Sequence, residues 1–584
     1  MKIYELAHLL NVTSYEITEI LNRLGYSIPN YSVRDLTDEQ ISKIRAFYYL
    51  GNNKLPEEEK FRALEFLDFD YIKTYMEKYA VDVFRICSFS VTVGNNDPVF
   101  INLMSDFCNC SEDSIDQFSL LIGLNGIGKS SILRGLIDFF VDLEYYKENY
   151  GDIAKRYRRD VNRYVRVNSV FFVMDHVFYH VYRDQKQKVF WINGDTYVHD
   201  DFEVPHIVAS CFGVFDKFPL QNTYSGIRRN RYDVDCYTYV GAKASGNMFS
   251  VSAIIFQLLN NLLSISGTST FLKINDALSF IGYEGRISFS CKLLKTICLS
   301  YEDFARIIDN YLSDKNDNVR RKWYAQSFLR LGQGERFFLY QTLQNISKTT
   351  DSKKGRFVFD VDFVDGSVAM DKHILKAICQ LRQLGFITSV ECNLFKAGNI
   401  VNCNAMSSGE FNMLCTIIGT LSAAENGKTM VLIDEPEISQ HPNWQMQIID
   451  MLDKCLSDSK CHFIIATHSH FLVSDLPNYK SSVTYLYQEK GNVVAENIKE
   501  ATYGWSAEEV LLKVFKVPTT RNIYLADMVG KMLDLIANNQ IEYDKVEPKI
   551  RFLESVVKNM QDVDPMKKVL STIIDTFRYE KRDE

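Results

Sequence analysis

The stretch 118–140 constrains the fold of this chain more than any other, reading FSLLI, then GLNGIGKS, then SILRGLIDFF. FSLLI is a short continuous apolar run, the pattern of a strand buried on both faces. SILRGLIDFF carries the apolar spacing of a helix. Between them, Gly123 to Ser130 matches G-x-x-x-x-G-K-[ST] at every fixed position. A strand, a Gly-rich turn and a helix in that order bring bare backbone N–H groups to a helix N-terminus, which makes a cradle for phosphates. Lys129 is expected on the β- and γ-phosphates, and the Ser130 hydroxyl on Mg²⁺. Gly123, Asn125, Gly126, Gly128 and Ser131 complete the expected lining. ATP and Mg²⁺ are therefore the expected cofactors, and an open α/β sheet is the expected scaffold.

Two later apolar runs end in reactive groups. TMVLIDEPE (429–437) reads as a buried parallel strand that delivers carboxylates to a sheet edge. Asp434 is expected in the Mg²⁺ shell, with Glu435 orienting or deprotonating an attacking water. HFIIATHSH (462–470) ends with His468, placed to donate a hydrogen bond to a γ-phosphate while its other nitrogen is fixed by the protein. His468 and His470 as a metal pair lack a third ligand at useful spacing. A further helix start, NAMSSGEFNML (404–414), opens with Ser407, Ser408 and Gly409, small residues that leave N–H groups bare for an anion.

Composition bounds the class. With 46% hydrophobic and 24% charged residues the chain is an ordinary globular protein. No run approaches ~20 apolar residues, so no membrane span is expected. MKIYELAHLL lacks a secretory cleavage pattern, and the 13 cysteines form no CxxC pair, which reads as reduced thiols in the cytoplasm. Cys108 and Cys110 are a poor zinc motif alone. A net charge of −8 argues against a surface coated for nucleic acid. Local basic stretches interleaved with tyrosine, KRYRRDVNRYVRV (155–167) and IRRNRY (227–232), suit either contact with DNA or another nucleic acid, or a solvated face. Hairpins are expected over 164–200, and 250–345 reads as mainly helical.

The phosphate loop, MSSGE, IDEPE and the terminal histidine, in this order, resemble the ABC-type ATPases of the SMC, Rad50 and RecF lineage. MSSGE is similar to that family's signature motif, and EISQHPNWQ (437–445) to its D-loop and following helix. The resemblance implies that the signature helix binds the γ-phosphate held by a second protomer, so that a homodimer or higher oligomer encloses two ATPs. Ser407 and Gly409 would be those trans contacts, with Ser408 and Glu410 standing where glycine and glutamine are more usual. The family's Q-loop glutamine has no assigned counterpart. The implied fold is an α/β P-loop ATPase head, a mixed sheet with flanking helices. Its first part is 81–150 and its second part 386–480, separated by a large α+β insertion (151–385). The mainly helical region 481–584 is a candidate partner-binding part.

MKIYELAHLLNVTSYEITEILNRLGYSI resembles the small N-terminal module of bacterial translation initiation factor two, a helix-turn-helix adaptor being the alternative. This module takes 1–50, with capping boxes expected at Thr13–Glu16 and Thr37–Gln40, and a linker and helix follow over 51–80. VFDKFP (214–219) and TYGWSAEEVLLKVFKVPTTRN (502–522) look like segments of the ATPase subunits of Septu-type and retron-associated antiphage systems, which act with a separate HNH nuclease. Two functions remain from different classes of biology. One is a regulatory ATPase of such a defence complex, and the other is a RecF- or Rad50-like repair ATPase. A transporter subunit at the membrane and a non-catalytic nucleotide-dependent scaffold are weaker readings.

Overall fold

The computed structural model describes residues 2–44, 84–104, 117–148, 164–220 and 231–583, each span with interruptions, in two compact units, Met1–Gly504 and Trp505–Glu584. The segment 51–60, Cys108 and Cys110, and the basic residues 155–163 and 227–230 lie outside the described residues.

The first unit is built on two sheets. One is antiparallel, ordered β2-β1-β4-β5-β6, from β1 (Phe84–Val93), β2 (Val99–Asn102), β4 (Val165–Met174), β5 (Val177–Asp184) and β6 (Val189–Ile192). The other has seven strands, ordered β18-β17-β3-β16-β15-β7-β8. Its members are β3 (Gln117–Gly123), β7 (His206–Cys211), β8 (Tyr237–Gly241), β15 (Thr429–Asp434), β16 (His462–Thr467), β17 (Ser481–Glu489) and β18 (Asn492–Asn497). All of its pairings are parallel except β17 with β18. This is the α/β ATPase fold expected from the sequence, a mixed sheet with flanking helices. Its central strands are buried at every position, as parallel strands covered on both faces must be.

The helix Lys129–Glu148 packs against both sheets, and apolar residues fill its circumference, from Ile132 and Leu133 to Phe139, Phe140 and Val141. A helix apolar all round must be buried all round. Gly135 permits the closest approach, since a Cβ there would stand 3.2 Å from a Val167 methyl. Two carboxylates, Asp138 and Asp142, are carried into this interior and are paired there. Arg231 lies 3.2 Å from Asp138 and 3.0 Å from Asp142, Arg183 lies 2.7 Å from Asp142, and the Tyr232 hydroxyl donates to Asp138 at 2.8 Å. Arg231 and Tyr232 were candidates for nucleic-acid contact, and the structure removes them. Both are buried, because the acids of the phosphate-loop helix need partners more than the surface does.

His462 ties the two sheets together. Its Nδ1 accepts the Ile86 N–H at 3.1 Å, and its Nε2 is 3.0 Å from the Ser119 hydroxyl. That geometry requires the neutral ring, and burial holds the His462 pKa well below the usual value.

The insertion contains a second antiparallel sheet, ordered β12-β11-β13-β14, from β11 (Arg286–Leu293), β12 (Arg356–Asp362), β13 (Ile387–Lys396) and β14 (Asn399–Asn402). A small hairpin, β9 (Lys243–Ser245) with β10 (Met248–Phe249), precedes it. Helices Ser269–Phe280, Tyr301–Ser313, Gln333–Thr349 and Lys372–Gln383 accompany the sheet. The expected mainly helical 250–345 carries one strand among its described residues, β11, in which apolar Ile287, Phe289 and Cys291 alternate with Ser288 and Ser290, all five buried. In the N-terminal module both capping boxes close. Thr13 and Glu16 exchange bonds of 3.0 and 3.2 Å, and Thr37 and Gln40 bonds of 3.0 and 3.3 Å. The second unit has its own core from helices Ile523–Ala537, Tyr543–Asn559 and Pro565–Asp583, around Met532, Leu553, Leu570 and Phe577. No helix among the described residues is long and apolar enough to cross a membrane.

Two buried histidines and a half-buried one make stability depend on pH. Burial holds His180 at about 3, His206 at about 4 and His462 well below its usual 6.5. Below pH ~6.5 the unfolded chain takes up protons that the folded chain refuses, so their contribution is complete above that pH and is lost as pH falls. Each contributes up to ~1.4 kcal/mol per pH unit. His462→Gln, which keeps an acceptor and a donor, is expected to melt with a smaller loss between pH 7 and pH 5 than the wild type. An equal loss in thermal scans would exclude His462 as a source.

Candidate active site

Strand β3 ends at Gly123, and no other residue fits there. A Cβ would lie 2.2 Å from the Leu486 carbonyl oxygen of β17, the neighbouring strand. Gly126 and Gly128 take φ values of 82° and 106°, left-handed conformations that glycine adopts without strain. The loop then turns into the helix that begins at Lys129.

The Lys129 ammonium is buried beneath the loop. It donates to the carbonyls of Gly123 at 2.9 Å and Leu124 at 3.3 Å, and lies 2.7 Å from Nε2 of His468. Burial lowers its pKa to about 8 despite the opposing charges of Glu435, Asp434 and Glu437. Nearby, Ser130 hydrogen-bonds the Asp434 carboxylate, which burial pushes up to about 7. The Asp434 Oδ1 is buried without a hydrogen-bond partner. A carboxylate oxygen left bare beside a serine hydroxyl, at the mouth of a phosphate cradle, fits a Mg²⁺ that completes its shell with water and phosphate. Among the described residues no group of three or more His, Cys, Asp or Glu side chains could hold a metal ion by itself.

Glu435 has φ 50°, left-handed for a residue with a full side chain. Its N–H donates to the Ala466 carbonyl at 2.8 Å, and its carboxylate, half-exposed, stands 3.8 Å from Nε2 of His468. Burial, then the Lys129 charge, lowers the His468 pKa to about 4. Nε2 of His468 lies 2.7 Å from the Lys129 ammonium and Nδ1 lies 3.4 Å from it, and the residue is held through its backbone as well. That backbone N–H donates to Glu437 at 2.6 Å. Glu437 was missed by the sequence reading, although DEPE carries it two residues beyond Glu435. Gln445 was also given no role, and it accepts the Ser469 hydroxyl at 2.8 Å, tying the HPNWQ turn to the end of β16.

The structure thus brings together Lys129, Ser130, Asp434, Glu435 and His468. Asn125 lies exposed at the loop's turn, and Ser131 is buried one residue into the helix. It does not bring Ser407, Ser408 and Gly409 to this loop by any hydrogen bond among the described residues. Ser407 is instead the N-cap of helix Ser408–Ala423. Its hydroxyl donates to Glu410 at 2.9 Å and accepts the Glu410 N–H at 3.2 Å, and its own N–H donates to Glu410 at 2.9 Å. Ser407 and Ser408 are exposed, and Gly409 is buried.

Residues 109–473, more than half of the chain, match the family model described as AAA ATPase domain. The chain belongs to this AAA ATPase domain family. No curated protein matches it. An Smc head domain from Pyrococcus furiosus, solved with the C-terminal domain of ScpA, is similar at 12% identity and a TM-score of 0.30, covering 71% of this chain and 96% of that one. The SMC head domain from Thermotoga maritima is similar at 10% identity and a TM-score of 0.26, covering 71% of this chain and 100% of that one. Likeness at those scores is loose, and nothing below rests on it. As an AAA ATPase domain the chain is a nucleotide-binding protein.

The left-handed Glu435 provides a test. Glu435→Asn, which tolerates that conformation, is expected to raise thermal stability by up to ~1 kcal/mol while stopping phosphate release from ATP. A variant that is less stable, or that still turns over, would show that the strain serves no catalytic placement.

Proposed function

We propose that this chain binds Mg-ATP, pairs head to tail across two nucleotides, and hydrolyses them to switch conformation. In this reading it is the regulatory subunit of a bacterial antiphage complex that controls a separate nuclease effector. The observation that carries the ATPase reading is the bare Asp434 oxygen beside Ser130, with the strained Glu435 next along the chain. The Lys129 ammonium exchanges its loop carbonyls for phosphate oxygens as the triphosphate enters. Glu435, half-exposed, orients the attacking water and takes its proton. His468 is neutral, so it donates one hydrogen bond to the departing phosphoryl without adding a charge. Mg²⁺, when bound by Ser130 and Asp434, supplies charge neutralisation to the phosphate oxygens. Positioning and electrostatics do most of such a transfer, since the protein forms no bond to phosphorus.

Support for pairing comes from the signature helix. Its N-terminus is exposed, its cap is made of small residues, and among the described residues Ser407 hydrogen-bonds Glu410 as a side-chain partner. Ser407→Arg is expected to abolish hydrolysis while leaving ATP binding to the monomer intact. Loss of both would place Ser407 on its own nucleotide. Glu435→Gln is expected to bind ATP and accumulate as a dimer in size-exclusion chromatography with light scattering; a persistent monomer would count against the sandwich.

The defence role is supported by the VFDKFP and TYGWSAEEVLLKVFKVPTTRN segments. Purification of the tagged chain from cells that also express its flanking genes is expected to recover an HNH-type nuclease. Recovery of replication or repair proteins instead would move the chain to the RecF and Rad50 reading.

A further inference from the structure

The loop that follows β7 carries a lysine with no role so far. It reads FGVFDKFPL, 212–220. Strand β7 pairs directly with β15, Cys211 opposite Asp434, so this loop leaves the sheet beside the catalytic acids. Lys217 is exposed, and its ammonium donates to the Ser131 hydroxyl at 3.1 Å. Among the described residues that hydroxyl is its one partner. Ser131 lies in the first turn of the phosphate-loop helix, and Lys217 is close enough to Lys129 and Asp434 to act on both electrostatically.

The residues around Lys217 are built to hold it there. Asp216 and Phe218 are buried on either side of the exposed lysine. The Asp216 carboxylate accepts the Phe218 N–H at 2.7 Å and the Tyr239 hydroxyl at 2.7 Å. The Lys243 ammonium donates to the carbonyls of Asp216 at 2.6 Å and Phe218 at 2.9 Å, and stands 3.5 Å from the Asp216 carboxylate. One buried cation thus pins the backbone on both sides of Lys217, and one buried anion closes the turn between them. Tyr239 belongs to β8 of the seven-stranded sheet and Lys243 to β9 of the small hairpin, so two structured elements anchor the loop. Such a clamp removes much of the backbone entropy that an exposed loop keeps. Two ammonium groups brought together over one helix N-terminus repel each other until a polyanion lies between them.

We propose that Lys217 is a second phosphate-binding cation of this site, held by the Asp216–Tyr239–Lys243 clamp to contact the nucleotide's phosphates alongside Lys129. The proposal rests on the ATP reading above and adds a residue that no motif predicted. It also makes Tyr239 and Lys243 positioning residues, since they act through the loop and do not touch the nucleotide.

The test is a fluorescence titration of Mg²⁺ with a methylanthraniloyl-labelled ATP, on the full chain and four variants. Lys217→Ala is expected to weaken binding by about tenfold, the value of one charge-assisted contact. Lys217→Arg is expected to restore it to within about threefold, because the charge and its reach are kept. Tyr239→Phe loosens the clamp and is expected to weaken binding by about threefold, with Lys217 still present. Lys129→Ala serves as the control that loses binding. Unchanged affinity in Lys217→Ala, with binding lost in Lys129→Ala, overturns the proposal and leaves the ATP reading standing. Failure of the wild type to bind overturns the ATP reading itself. Lys217 is exposed, so its truncation leaves no cavity, and equal melting temperatures confirm that affinity alone has changed.

Discussion

The parallel register of β3, β16 and β15 is the constraint on which the site depends. Ile122 lies opposite Thr467, and Asp434 lies opposite Ala466, so the three strands finish at one level of the sheet. Each then releases its next residues at the same edge: the phosphate loop from β3, His468 from β16 and Glu435 from β15. A slip of one residue in either pairing would turn each strand's side chains to the opposite face and separate carboxylate from loop. Continuous apolar strands hold that register weakly by pattern alone, since both faces are buried. Specific polar contacts reinforce it here, above all His462 between Ile86 and Ser119, and the Glu435 N–H on the Ala466 carbonyl.

A different constraint governs the signature helix. Its first turn is neutralised by its own third residue, since the Glu410 carboxylate accepts both the N–H and the hydroxyl of Ser407. The Lys396 ammonium stands 3.9 Å from that carboxylate and the Tyr283 hydroxyl bonds it, which steadies its charge. In the proposed pairing, a phosphate arriving at this helix would compete with Glu410 for the one hydroxyl hydrogen of Ser407. A glutamine would impose no such like-charge contest, because its amide carries no negative charge. Under that proposal, the residue that departs from the usual signature would set how readily the helix accepts an anion.

Much of the site was legible because its chemistry is local. The spacing Gly123-x-x-x-x-Gly128-Lys129-Ser130 is one turn of chain, and a strand that ends Asp434-Glu435 states its own direction. What stayed hidden joins residues far apart in sequence. The apolar run of β7 looks like any other buried strand, and nothing in it announces that β15 will lie alongside. Arg231 and Tyr232 read as part of a basic surface because their partners, Asp138 and Asp142, sit in a helix that seemed apolar. β11 was masked by helices on either side, its alternation of apolar residue and serine lasting only five residues. Lys217 was visible in VFDKFP as part of a resemblance, but its orientation follows from Tyr239 and Lys243, which the sequence does not tie to it.

Buried carboxylates beneath the sheet edge have cationic partners, Asp138 and Asp142 in arginines and Asp216 in Lys243, although Asp138 Oδ2 makes no hydrogen bond. Three costs gather at the edge itself. Asp434 keeps an oxygen without a partner, Lys129 rests on loop carbonyls and a neutral histidine, and Glu435 is held in a left-handed backbone conformation. Folding alone would remove each of these, since an unsatisfied buried oxygen costs about 1–3 kcal/mol and each could be replaced by an apolar or paired group. They persist together, within one turn of three strand ends, where a polyphosphate and its cation would satisfy the charges at once. Local instability gathered at one edge is how a rigid scaffold reserves binding energy for its nucleotide.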